Sequence, residues 1–148
     1  MADNSREVRI TANGASLGVV NKKLYACLLE SESAAYWVVT PAGDGVQVAD
    51  RASGAVLAVP STEDFTQAEL VDQGAANSRW SLIMIDNDDD SEKPVTQVAE
   101  TGLYFLVLAG TKKYLGRRPI EDYSLMPKQV VLLSEKDKPR PLVFEIVR

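Results

Sequence analysis

The sequence predicts an all-β domain of 148 residues made of three repeats, and three observations carry that expectation. One hairpin pattern recurs. Within residues 102–118 an apolar run, Tyr104 to Ala109, reaches Gly110, turns through Thr111 and Lys112, and resumes as Tyr114-Leu115-Gly116. The same order occurs as Val8-Arg9-Ile10, Asn13-Gly14-Ala15-Ser16 and Leu17-Gly18, and again as Val46-Gln47-Val48, Ser53-Gly54-Ala55-Val56 and Leu57-Ala58. Each copy is followed by further apolar runs that close on a large aromatic. Trp37 lies 20 residues after Leu17, Trp80 23 after Leu57 and Phe144 29 after Leu115. Fixed order with drifting spacing marks repeats whose loops differ. Finally, no helical period persists for three turns anywhere in the chain.

Taken in order, residues 6–11 read as a short alternating strand, and Asn13-Gly14 as a turn that accepts positive φ. Residues 17–20 return the hairpin. Asn21-Lys22-Lys23 is a polar tip, and residues 24–29 form a third strand carrying Cys27. Residues 36–39 are aromatic and β-branched and are expected to stop at Thr40-Pro41, with 42–45 as connector. In the second repeat, residues 46–49 pair with 56–59, and Pro60 ends that strand because it has no N–H to donate. A loop leads to a strand near 69–71, and 80–85 is the clearest strand of this repeat. The run Asp86 to Glu92 is expected to be a solvated break. The third repeat holds the opening hairpin, an irregular segment over 117–128, and strands at 129–133 and 142–147. A basic, proline-bracketed and exposed connector spans 134–141.

Composition bounds the function. With 45% hydrophobic and 25% charged residues the chain has core enough for one domain spanning 1–148, and a single cysteine excludes an internal disulfide. The first residues, MADNSREVR, lack the positive and apolar segments of a secretory signal, no run approaches a membrane span, and no Asn-x-Ser/Thr acceptor is present. A reducing, cytoplasmic setting and no membrane partner are the expectation. Net charge of -5 argues against a nucleic-acid partner.

Three repeats of about four strands, each closed by an aromatic, resemble a β-trefoil. That resemblance implies a barrel with a hairpin cap, the leucines Leu17, Leu57 and Leu115 and the aromatics Trp37, Trp80 and Phe144 in the core, and function in the loops. The chemistry of an enzyme is missing. There is no histidine, so the commonest general base and most transition-metal sites are gone. Cys27 sits in an apolar run with nothing to activate it. Asp86, Asp88 and Asp90 imitate a calcium loop, but Ser91 stands where glycine is wanted and Gln97 where the bidentate glutamate belongs. Glu121-Asp122 has arginines nearby and reads as a structural ion pair. No enzyme, cofactor or metal is expected.

Two binding classes remain. Many trefoil lectins carry Gln-x-Trp at the end of each repeat and hold sugar with an acidic residue and an aromatic platform. Here the triplets are Ala35-Tyr36-Trp37, Ser78-Arg79-Trp80 and Leu142-Val143-Phe144, without the glutamine. The run GRRPIEDYSLMPKQVVLL, residues 116–133, resembles the third-repeat segment of cospin-type fungal serine protease inhibitors (mycospins), with its Gly-Arg, Glu-Asp before Ser-Leu, and Pro-Lys leading into a valine-rich strand. The related mycocypins act on cysteine or aspartic peptidases through other loops. The resemblance implies a peptidase inhibitor, most of all of serine peptidases, with a glycan-binding lectin as the alternative. A tryptic target needs Lys or Arg on a rigid, extended loop. The candidates are Asn21, Lys22 and Lys23 on one loop and Lys136, Lys138 and Arg140 on the other. The first is favoured, because the resembling inhibitors use the second-to-third strand loop and a short loop loses little entropy on docking.

Overall fold

A computed structural model describes residues 5–27, 36–86, 88–118 and 128–147. The first repeat contains β1 (Arg6–Ala12), β2 (Ala15–Val20), β3 (Lys23–Cys27) and β4 (Trp37–Ala42). The second contains β5 (Gly45–Asp50), β6 (Val56–Ala58), β7 (Glu69–Val71) and β8 (Trp80–Ile85). A further strand, β9 (Glu92–Val95), precedes the third repeat of β10 (Gly102–Leu108), β11 (Tyr114–Arg117), β12 (Lys128–Leu133) and β13 (Leu142–Ile146).

Strand pairing closes a barrel. β1 pairs with β4, β4 with β5, β5 with β8, β8 with β10, β10 with β13, and β13 returns to β1, so six strands form a ring without an open edge. Six of the other seven strands make three hairpins, β2–β3, β6–β7 and β11–β12, that cover one end, and β9 pairs with β8. These hairpins are tied to each other by β12–β3 and β3–β7 pairing and by a bridge between Gln67 and Val131. The fold is the expected β-trefoil. Its only helical feature among the described residues is a 3-10 turn at Glu135–Asp137.

The leucines and aromatics singled out in the sequence are all buried to 1% exposure or less. Register refines which of them are equivalent. Trp37 faces Val8 and Asp50 in the ladders, and Trp80 faces Val46 and Leu108. In the third repeat the residue facing Tyr104 is Leu142, and Thr11 opposite Val143 places Leu142 across from Ala12. Leu142, not Phe144, therefore occupies the tryptophan position, and the third triplet is Arg140-Pro141-Leu142. Phe144 lies two residues further along and packs on Tyr104 with ring centroids 5.0 Å apart.

Two expectations are corrected. β4 does not stop at Thr40-Pro41 but runs to Ala42, with Pro41 opposite Val46. The β1–β4 ladder has ended by then, at Arg6 opposite Val39, so the far side of Pro41 has no neighbour that wants its missing N–H. Only Gly43 and Asp44 form the turn, Gly43 at φ +60°. Second, the acidic run is not merely a break. It turns the chain into β9, which pairs with β8 from Ile85–Glu92 to Leu82–Val95. Asp86 accepts the N–H of Asp88 and pairs with Lys93 Nζ at 3.1 Å, and Asp89 accepts the N–H of Ser91. These carboxylates shape a turn, and among the described residues no group of three or more potential ligands is placed to hold a metal. The 134–141 connector is largely exposed, as expected, and is also pinned down, as described below. Leu28, Leu29, the loop 31–34, Ala35, and Glu121, Asp122, Tyr123 and Leu125 of the irregular segment lie outside the described residues.

Candidate functional site

The trefoil threefold makes polar exceptions visible. Ala12, Asp50 and Leu108 occupy equivalent ladder positions at the ends of β1, β5 and β10. Ala12 and Leu108 are core residues, 3% and 1% exposed. The fold therefore asks for an apolar side chain here, and the second repeat supplies a carboxylate that is half-buried. The turn after β5 fixes it. Asp50 N–H donates to Ala55 O at 2.8 Å, Asp50 O accepts from Gly54 N–H at 2.7 Å, and Ser53 Oγ donates to Asp50 Oδ2 at 2.8 Å. No hydrogen bond from the described residues reaches Oδ1.

Asp50 faces a cleft of about 620 Å³ between the second repeat and the first cap hairpin. Val19, Leu70 and Val71 line it with apolar surface, and Lys22, Ser53 and Asp72 supply polar groups. Tyr36, 45% exposed, precedes the Trp37 that pairs with Asp50. Its carbonyl accepts the N–H of Arg51 at 3.0 Å, and the Arg51 guanidinium sits 5.9 Å from its ring centre while pairing with Glu7 at 2.8 Å. A constrained carboxylate thus lines a partly apolar depression, while the Tyr36–Arg51 pair lies one residue along the ladder and outside its lining.

The loop candidates fall in two places. Asn21 and Lys22 form a two-residue turn between Val20 and Lys23, with φ of +52° and +65°. Both residues are left-handed, so the turn is tightly curled and does not offer the extended backbone that a peptidase cleft accepts. Lys23 belongs to β3, and its amine pairs with Glu69 at 2.7 Å. Lys22 instead lines the Asp50 cleft, and its carbonyl accepts the Leu70 N–H at 2.8 Å.

Lys136, Lys138 and Arg140 lie on the 134–141 connector. Lys136 is exposed within the 3-10 turn. Lys138 is committed: its amine pairs with Glu92 at 2.9 Å and lies 4.8 Å from the Phe105 ring centre and 5.3 Å from that of Tyr114. The Glu92 carboxylate holds the Lys138 amine above its usual pKa. Pro139 rests on β11 so closely that a Cβ at Gly116 would stand 2.6 Å from its own Cβ. Arg140 is exposed between Pro139 and Pro141. Sequence reasoning named the connector's cations but not Asp50. The signal was there, since aligning the three hairpins puts Asp50 in a column with Ala12 and Leu108.

No family model matches the chain, and no curated protein is similar enough to count as a relative. Among solved structures the chain is similar to the Macrolepiota procera ricin B-like lectin, solved in complex with lactose. The TM-score is 0.69 and the sequence identity 14%, over 98% of this chain and 97% of that one. Likeness along the whole length at so low an identity speaks for the β-trefoil fold.

Proposed function

We propose that the protein is a non-enzymatic, carbohydrate-binding trefoil whose sugar site is the Asp50 cleft. The observation that carries this reading is a carboxylate, aimed by Ser53, where the other two repeats place Ala12 and Leu108. A carboxylate oxygen accepts hydrogen bonds from vicinal sugar hydroxyls, and the apolar wall of Val19, Leu70 and Val71 suits the C–H face of a pyranose. The solved lectin with the same fold, caught with lactose, supports this reading over peptidase inhibition. The test is titration with lactose and a neutral glycan array, on wild type and Asp50→Asn. Binding by wild type that the variant loses, at an unchanged melting temperature, is expected; no glycan binding, or equal binding by both proteins, overturns the assignment.

Inhibition of a peptidase is the second reading, and one observation favours it. Arg140 stands exposed on a connector braced by the Lys138–Glu92 pair and by Pro139 on Gly116, which lowers the ordering cost on docking. A panel of serine, cysteine and aspartic peptidases, assayed with wild type and Arg140→Ala, decides it. Tryptic inhibition lost in the variant supports the reading, and no effect on any peptidase removes it.

A further inference from the structure

The groove between the 134–141 connector, the end of β11 and the first hairpin gathers positive charge on a chain whose net charge is -5. About 490 Å³ in volume, it is lined by Arg117, Arg118, Lys138 and Arg140, with Asn13 and a single carboxylate, Asp137. Two of the four cations are already satisfied. Lys138 pairs with Glu92, and Arg118 donates to Gln129 Oε1 at 3.1 Å with its guanidinium 5.6 Å from the Phe65 ring centre. The side chains of Arg117 and Arg140 have no hydrogen bond, ion pair or ring contact among the described residues. These two arginines lack the acidic partners that Lys23, Arg51, Lys93 and Lys113 find elsewhere.

The backbones that carry these two arginines are held. Arg117 pairs with Val130 in the β11–β12 ladder, and the Arg118 N–H donates to Gln129 O at 2.9 Å. Arg140 lies between two prolines, the first of them packed on Gly116. Two guanidinium groups on fixed mounts, in a concave site, suit a sulfate, phosphate or carboxylate group, because the guanidinium fork matches such an oxyanion with paired hydrogen bonds. We infer that this groove is an oxyanion-binding site, held by Arg117 and Arg140 with Arg118 and Lys138 adding field. It lies apart from the Asp50 cleft and stands whether or not that cleft binds sugar.

The experiment is titration at low ionic strength with galactose 6-sulfate, inorganic sulfate and galactose, followed by calorimetry and by the arginine side-chain N–H resonances. Both sulfate probes are expected to bind, to shift the Arg117 and Arg140 signals, and to weaken as salt is raised. Arg117→Gln with Arg140→Gln, both surface changes, should lower their affinity about ten-fold or more, the scale of charge-assisted hydrogen bonds. Tighter binding of the sugar sulfate points to a glycan-borne anion and equal binding to a free anion; either supports the site. Asp50→Asn should leave sulfate binding intact, which separates this groove from the proposed sugar site. The inference is overturned if neither sulfate moves the two arginine signals, if the double variant binds like wild type, or if Asp50→Asn abolishes sulfate binding.

Discussion

Trp37 and Trp80 show what one residue does in this fold. Each indole Nε1–H donates to a leucine carbonyl of its own repeat, Trp37 to Leu17 O at 3.4 Å and Trp80 to Leu57 O at 3.0 Å. The 20- and 23-residue spacings in the sequence are thus the two ends of a direct contact. The 29-residue spacing is not, because Leu142 rather than Phe144 holds the matching place and needs no acceptor. A leucine inside an apolar strand looks like any other core residue, so only strand pairing could reveal the substitution. Trp80→Ala should cost about 3–5 kcal/mol. Trp80→Phe keeps most of the bulk but leaves the buried Leu57 carbonyl unpaired, so about 1–3 kcal/mol is expected. Denaturant unfolding of the two variants checks the order. Tyr104 supplies a pH dependence. Burial raises its phenol above the ordinary pKa of 10.0, while its hydroxyl donates to Glu100 O at 2.6 Å. The folded protein keeps a proton that the unfolded chain releases, so the stability tied to it is full below about pH 10 and is lost as pH rises through the folded-state value. Alkaline denaturation should be less steep in Tyr104→Phe than in wild type, and identical profiles would contradict this.

At the scale of elements, strand cores were legible and joints were not. β8 matches its sequence expectation residue for residue, since alternation and aromatic content suffice for a half-buried strand. β9, Glu-Lys-Pro-Val, has little apolar content and is held by backbone pairing to β8, by Val95 on the core and by the Lys93–Asp86 and Glu92–Lys138 pairs, which no hydropathy pattern announces. The glycines at two joints show how tightly elements meet. A Cβ on Gly45 would lie 2.2 Å from the Trp80 carbonyl oxygen, where β5 crosses β8 in the barrel wall. A Cβ on Gly116 would lie 2.6 Å from Pro139 Cβ, a side chain on a connector that can be displaced. Backbone in a closed ring cannot give, and a connector can. Gly45→Ala should therefore destabilise by about 3 kcal/mol or more and Gly116→Ala by about 1–2 kcal/mol, the range of overpacked sites. Equal midpoints in chemical denaturation would show that the barrel wall yields as easily as the connector. Gly116→Ala has a second consequence, because Pro139 positions Arg140 and a displaced connector should weaken sulfate binding.

Across the whole molecule, closure governs how stability is shared. Threefold repetition was readable because each hairpin carries the same order of apolar runs and turn residues. The candidate sites were less so, because Asp50 is a single departure from that order and stands out only when the three hairpins are set in register beside Ala12 and Leu108. Every barrel strand has two barrel neighbours, and β13 joins the third repeat to the first through both β10 and β1. Removing β13 would expose the backbone of both and strip Leu142 and Phe144 from the core. No repeat keeps a core of its own, since buried residues of all three form one cluster and Trp37 and Trp80 pair in the ladders with Asp50 and Leu108 of the repeat that follows. Unfolding should then be a single cooperative step. Tryptophan fluorescence, which reports Trp37 in the first repeat and Trp80 in the second, should trace the same denaturant curve as far-UV circular dichroism, which reports all three. A chain ending at residue 141 should show no cooperative transition by either probe. A truncated protein that still melts sharply, or full-length curves that separate, would mean that the repeats hold together without the closed ring.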